Sequence, residues 1–131
     1  MQKKIVIIDD DRVTLAMLEK VLIMRGFWVY SAKDGAEGYE LVKREKPDVL
    51  ITDMLIPKIH GLDLCKKIKE SSELNHIKVI LMTAVYKGIT LRREAMECMA
   101  DDFMEKPVDI KDMISRIYKL LNIEEADKET K

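Results

Sequence analysis

The chain has 131 residues, 47% of them hydrophobic and 36% charged, with a formal net charge of −1. That length holds one compact domain with a real core and leaves no room for a second of ordinary size. The near-neutral balance gives no overall electrostatic reason to bind nucleic acid or an anionic membrane. Cys65 and Cys98 show no CxxC or Cys/His ligand spacing. This argues against a zinc site or redox motif and for a reduced compartment, with both thiols serving as small apolar residues in helices. The N-terminal apolar stretch is too short, and too quickly followed by aspartates, for a signal peptide or membrane span, so a cytoplasmic location is expected.

Lys4 to Asp9 reads as a strand, because Ile5-Val6-Ile7-Ile8 is the continuous apolar run of a strand buried on both faces. It ends abruptly in Asp9-Asp10-Asp11, of which Asp11 is placed to cap a helix carrying Leu15, Leu18, Val21 and Leu22 and stopping at Gly26. Phe27 to Tyr30 is a short aromatic and β-branched second strand. Asp34-Gly35 opens a helix through Tyr39, Leu41 and Val42 that Lys46-Pro47 ends. Gly38 inside that helix costs about 1 kcal/mol relative to Ala, which makes it the weakest of the expected helices.

Val49-Leu50-Ile51-Thr52-Asp53 is the third strand, again apolar and again ending in a carboxylate. Met54 to Gly61 is a loop with Pro57 and Gly61 as breakers, followed by a helix bearing Leu62, Leu64, Cys65 and Ile68. After Ser71-Ser72, Val79 to Met82 forms a fourth strand ending in Thr83-Ala84, and past Gly88 a fourth helix is expected on Leu91, Ala95 and Met99. Asp102 to Glu105 is a short fifth strand before Lys106-Pro107, and the last helix carries Ile110, Ile114, Ile117 and Leu121. Glu124 to Lys131 has no apolar pattern, giving a domain over 1–123 and a fraying polar tail over 124–131.

Five strands alternating with five helices make a doubly wound α/β fold, three layers around a parallel sheet, with the order 2-1-3-4-5 natural at this size. In that order the first and third strands are neighbours at the switch point, so Asp9, Asp10 and Asp53 meet in the crevice, with Thr83 and Lys106 along the same edge. Crowded carboxylates repel unless a cation joins them, and hard oxygen ligands with room for water favour Mg²⁺. Asp9 to Asp11 also admit a plainer reading as a helix cap with acidic neighbours, although only Asp11 looks like a mere cap. A metal, a lysine and a hydroxyl around one carboxylate describe a phosphoryl acceptor, with Asp53 as the in-line nucleophile.

These motifs, in this order, resemble the receiver domains of two-component response regulators, which have a flavodoxin-like fold. The match runs over roughly residues 4 to 121: the Ile5 to Asp11 run, Pro47-Asp48 leading to Asp53 with Pro57 and Gly61 beyond, Thr83-Ala84, and Ala100-Asp101-Asp102-Phe103 before Lys106-Pro107. The resemblance implies that Asp53 accepts a phosphoryl group from a sensor histidine kinase or histidine phosphotransfer protein. It implies that Asp10, Asp53 and the main-chain carbonyl of Leu55 hold Mg²⁺, with Asp9 assisting through water, and that Lys106 contacts the phosphoryl group. It further implies that Thr83 and Phe103 switch the face made by the fourth helix, fifth strand and last helix toward an output partner, and that the Lys106-Pro107 bond is cis. Such a protein is no enzyme beyond assisting its own phosphorylation and dephosphorylation. The resemblance extends to receivers that dimerise through ion pairs on that face, which suggests Asp102 with Arg116 and Arg92 with Asp112, and a weak phosphorylation-dependent homodimer. The third pair falls on Cys98 and Ile123, which cannot form one.

A haloacid-dehalogenase-type phosphatase also uses a strand-end aspartate but needs a second one at position 55, which is Leu. A flavodoxin needs a phosphate-cradling loop where this chain places three aspartates. A pseudo-receiver or phosphorelay intermediate acting as an interaction module is the nearer alternative. His60 and His76 have no partner histidine and no assigned role.

Overall fold

The computed structural model describes residues 2–56, 58–84 and 97–123. Their elements run β1 (Lys4–Ile8), α1 (Arg12–Met24), β2 (Trp28–Ala32), α2 (Gly35–Glu45), β3 (Val49–Asp53), α3 (Gly61–Lys69), β4 (Lys78–Ala84), β5 (Asp102–Lys106) and a C-terminal helix (Ile110–Leu121). The five strands form one parallel sheet in the order β2-β1-β3-β4-β5. Strand side chains alternate between faces, and this splits the apolar runs into two cores. Val6, Ile8, Leu50, Val79 and Leu81 pack under α2 and α3, while Ile5, Ile7, Val49, Ile51, Ile80 and Met82 pack under α1 and the C-terminal helix. Both faces being covered explains why β1 and β3 read as unbroken apolar stretches.

The helix starts follow their capping residues. The Asp11 carboxylate accepts from the Val13 N–H at 3.2 Å and the Thr14 hydroxyl at 2.6 Å. Asp34 accepts from the Glu37 N–H at 2.8 Å while the Glu37 carboxylate accepts from the Lys33 N–H at 3.1 Å, a reciprocal arrangement that satisfies two amides at the mouth of α2. Helix α2 is fully formed around Gly38, and the packing shows why that residue is there. A Cβ at Gly38 would lie 2.1 Å from Ile8 Cδ1, so the missing side chain is what lets α2 seat on β1.

Some boundaries differ from the sequence expectation. Strand β2 starts at Trp28 and runs to Ala32, because Phe27 is drawn inward to face Tyr118 at a centroid distance of 5.9 Å and its N–H bonds Leu22 O in the turn. Strand β5 extends through Lys106. The expected fourth helix falls mostly on 85–96, outside the described residues, as do Pro57, Val85, Arg92 and the 124–131 tail. Met99, expected on that helix, instead occupies a left-handed turn (φ 67) and is 69% exposed, and Cys98 lies in the same turn rather than in a helix. Just before β5, Asp101 hooks the chain onto β4: its N–H bonds Val79 O at 2.9 Å, and its carboxylate takes the Val79 N–H and the Lys69 ammonium, each at 2.7 Å. Among the described residues no helix is long and apolar enough to cross a membrane.

Candidate functional site

The crossovers that leave β1 and β3 diverge, since α1 packs on one face of the sheet and α3 on the other. Between them, at the carboxyl ends of the two strands, the topology opens a crevice, and the three aspartates converge there. Carboxylate oxygens of Asp9, Asp10 and Asp53 all lie within 4.8 Å of one another, with Asp9 buried, Asp10 exposed and Asp53 nearly buried. Lys106, at the end of β5, sits two strands away from β3, a gap of roughly 10 Å at ordinary strand spacing, which only a long side chain crosses. Its ammonium donates to Asp53 Oδ2 at 2.8 Å and to Asp9 Oδ2 at 3.0 Å.

The other carboxylate oxygens are held by the main chain. Asp9 Oδ1 accepts from the Asp11 N–H at 2.9 Å, and Asp53 Oδ1 from the Leu55 N–H at 3.1 Å. Burial raises the pKa of Asp9, against the opposing pull of the Asp11 amide and the Lys106 ammonium. For Lys106, burial disfavours the ammonium, yet its hydrogen bonds to Asp53 and Asp9 outweigh that and leave its pKa raised. With all three carboxylates ionised, one ammonium leaves the site two charges short of neutrality. Three clustered oxygen donors with that deficit fit a hard divalent cation such as Mg²⁺.

The remaining sequence candidates fall around this centre. Thr83, half-buried, lies one residue beyond Met82, the residue in register with Asp53. By strand alternation it shares a face with Phe103, which packs against the core under α2 and α3. Phe103, Lys106, Pro107, Asp109 and Arg116 line a cleft of about 570 Å³ between β5 and the C-terminal helix. The Lys106-Pro107 bond is cis, as expected. Leu55 is 54% exposed at the rim of the site. His60 and His76 are exposed, and no side-chain hydrogen bond caps α3 at His60.

On the expected dimer face, Arg116 takes both acidic residues of its own chain, pairing Nη1 with Asp102 at 2.7 Å and Nε with Asp112 at 2.9 Å. Arg92 lies outside the described residues. Gly61, expected only as a breaker, has a further part in the site. A Cβ there would lie 2.4 Å from Asp53 O, so Gly61 lets α3 start directly against the chain leaving Asp53. A glycine eight residues past a strand-end aspartate is the only sequence signal for that contact.

A family model for the response regulator receiver domain matches residues 5–118. The chain is 30% identical over 124 residues to the response regulator MprA of Mycobacterium leprae, covering 95% of this chain and 53% of that protein. It thus spans about half the length of this curated relative. Among solved structures, a CheY-like response regulator receiver domain protein from Methanospirillum hungatei superposes with a TM-score of 0.85 at 25% identity, covering 99% of this chain and 98% of that one. The receiver domain of a signal transduction histidine kinase from Syntrophus aciditrophicus matches with a TM-score of 0.82 at 29% identity, covering 92% and 90%.

Proposed function

The chain belongs to the response regulator receiver domain family, and from that premise we propose that Asp53 accepts a phosphoryl group from the phosphohistidine of a sensor kinase or phosphotransfer protein. The observation that carries this reading is the Lys106 ammonium, in contact with both Asp53 and Asp9 at the carboxyl edge of the sheet. One Asp53 oxygen is held by the Leu55 amide and the other by Lys106, so the carboxylate plane is set before a donor arrives. An Asp53 oxygen then forms its bond to phosphorus in line as the P–N bond breaks, and the donor imidazole leaves neutral by taking up a proton. Lys106 gives the equatorial oxygens a compact positive charge. Thr83 offers them a hydroxyl donor.

Asp10, Asp53 and the Leu55 carbonyl would hold Mg²⁺, with Asp9 reached through water. Held there, Mg²⁺ would supply positive charge against the transferring group. The chain then acts as a signal carrier rather than an enzyme, in the cytoplasm, passing its state through Thr83, Phe103 and the β5 and C-terminal helix face to an output partner. A pseudo-receiver reading is weakened by finding acceptor, acidic pair and lysine assembled in one place. The test is incubation with a small acyl phosphate and Mg²⁺. One base-labile phosphate per chain is expected, absent in Asp53→Asn. No incorporation into the native chain would remove the proposal.

A further inference from the structure

Cys65 and Cys98 are 33 positions apart, and the fold brings them together. Cys65 is fully buried on the inner side of α3, and Cys98 is 6% exposed in the turn that leads to β5, beside the exposed Met99. The Cys65 thiol donates to the Cys98 main-chain carbonyl at 3.4 Å, and the two thiols are within hydrogen-bonding reach of each other. A disulfide between them needs Cβ atoms within about 4.5 Å of each other, and the Cys65 sulfur already touches residue 98.

The surroundings are polar on one side. Lys69, one turn beyond Cys65, pairs with Asp101 at 2.7 Å and also bonds Ile77 O at 2.8 Å, placing a cation near both sulfurs. Its charge favours a thiolate. Contact with Cys65 lowers the pKa of the Cys98 thiol, while the same contact and burial push that of Cys65 up. Cys98 is also the more exposed of the two, so a small oxidant entering from solvent meets it first.

We propose that Cys65 and Cys98 are a site of reversible oxidation, in which a peroxide oxidises Cys98 and Cys65 closes a disulfide joining α3 to the chain entering β5. In the first step the Cys98 thiolate attacks the peroxide. An S–O bond forms, the O–O bond breaks, and hydroxide leaves. In the second the Cys65 sulfur attacks Cys98. An S–S bond forms, the S–O bond breaks, and the thiol proton leaves with the hydroxyl as water. Two thiols and one hydrogen peroxide thereby become one disulfide and two waters. For its consequence alone this rests on the proposed function: the staple restrains the approach to β5, so the oxidised chain still takes phosphate on Asp53 but passes less change to the Phe103 face.

The experiment treats the full chain with stoichiometric hydrogen peroxide, denatures it in an alkylating reagent and reads intact mass. The expected result is loss of two hydrogens with neither thiol alkylated, recovery of both alkylation sites after a dithiol reductant, and one peptide linking Cys65 to Cys98. Cys65→Ala is expected to lose the link and, with a second equivalent of peroxide, to let Cys98 proceed through sulfenic to sulfinic acid. The proposal is overturned if both native thiols remain fully alkylatable, if native Cys98 overoxidises while Cys65 still alkylates, or if the link joins two chains. These readouts involve no phosphate, so they stand or fall independently of Asp53 chemistry.

Discussion

Replacing Gly38 with alanine sets a local preference against a tertiary contact. Inside a helix, Ala is favoured over Gly by about 1 kcal/mol. At this position, however, the new methyl meets Ile8 Cδ1 at 2.1 Å and Cγ1 at 2.8 Å, well inside the optimum of roughly 3.5 to 4.0 Å for carbon pairs. Ile8 is fully buried between α2 and the neighbouring strands, so its side chain has nowhere to swing. Overpacking of this kind typically costs about 1 to 3 kcal/mol, which leaves Gly38→Ala destabilised by about 0 to 2 kcal/mol after the helix gain. Ile8→Val alone costs about 0.5 to 1.5 kcal/mol. Combined, the two changes compensate in part, because valine lacks Cδ1, the closer of the two clashing atoms, and the alanine methyl occupies its space. A double-mutant cycle by urea unfolding, with unchanged m values, is expected to show the double variant recovering at least half of the summed single losses. A Gly38→Ala variant more stable than the native chain by about 1 kcal/mol, or losses that simply add, would refute the close-packing account. Since Ile8 directly precedes Asp9, the single variant is also expected to take up phosphate more slowly.

In metal-free buffer, Asp9→Asn is expected to melt above the native chain at pH 7. The folded-state pKa of Asp9 is raised from 3.8, so its contribution is fully favourable below that value and is lost as pH rises and the buried carboxyl ionises. The advantage should vanish on acidification to about pH 3.8, and a constant offset across pH would contradict it. Lys106→Arg should still fold but fail to restore phosphorylation-dependent partner binding, because a planar fork cannot stand where one ammonium nitrogen serves two carboxylates. Native-level binding would show that the point charge is dispensable. Receivers are expected to tune hydrolysis of the acyl phosphate through the side chains two positions after the acceptor and two after the threonine; here these are Leu55 and Val85, neither with a hydrogen-bonding group, so Leu55→Asn with Val85→Glu should shorten the phosphate lifetime severalfold in a dephosphorylation time course. An unchanged rate would count against that reading. With a phosphoryl mimic and Mg²⁺, sedimentation is expected to show a weak dimer lost at high salt and in Arg116→Glu. Each exposed pair contributes only about 0.2 to 1 kcal/mol, and Arg116 must first leave its own Asp102 and Asp112. A monomer at high concentration and low salt would reject it.

The strands buried on both faces of the sheet are readable directly, because a continuous apolar run cut off by a charge fits little besides a core strand that ends at a functional edge. Asp9, Asp53 and Lys106 follow from the order in which such strands assemble. What escapes the sequence depends on contacts between elements. Gly38 reads as a weakness in α2 because helix propensity is local, whereas its purpose lies in Ile8 on another strand. Phe27 reads as a strand residue because aromatic character marks strands, whereas Tyr118, 91 positions on, draws it into the core. The two cysteines read as unrelated because spacing rules for thiols presume neighbours along the chain, whereas the fold brings together positions 33 apart.

Strand β5 lies at the edge of the sheet and is fastened at each end by a lysine and a carboxylate from different parts of the chain. At its entry Asp101 grips Lys69 and the start of β4; at its exit Lys106 grips Asp53 and Asp9. The two fastenings differ in kind, since the first is made within the framework and the second belongs to the reacting site. On the proposed function, phosphoryl transfer to Asp53 would therefore loosen one end only. Sliding along β4 is barred, because a shift of one residue would turn every side chain to the opposite face. The edge strand would then answer by pivoting about Asp101, with the largest displacement at Glu105 and Lys106 and the smallest where the chain leaves Cys98.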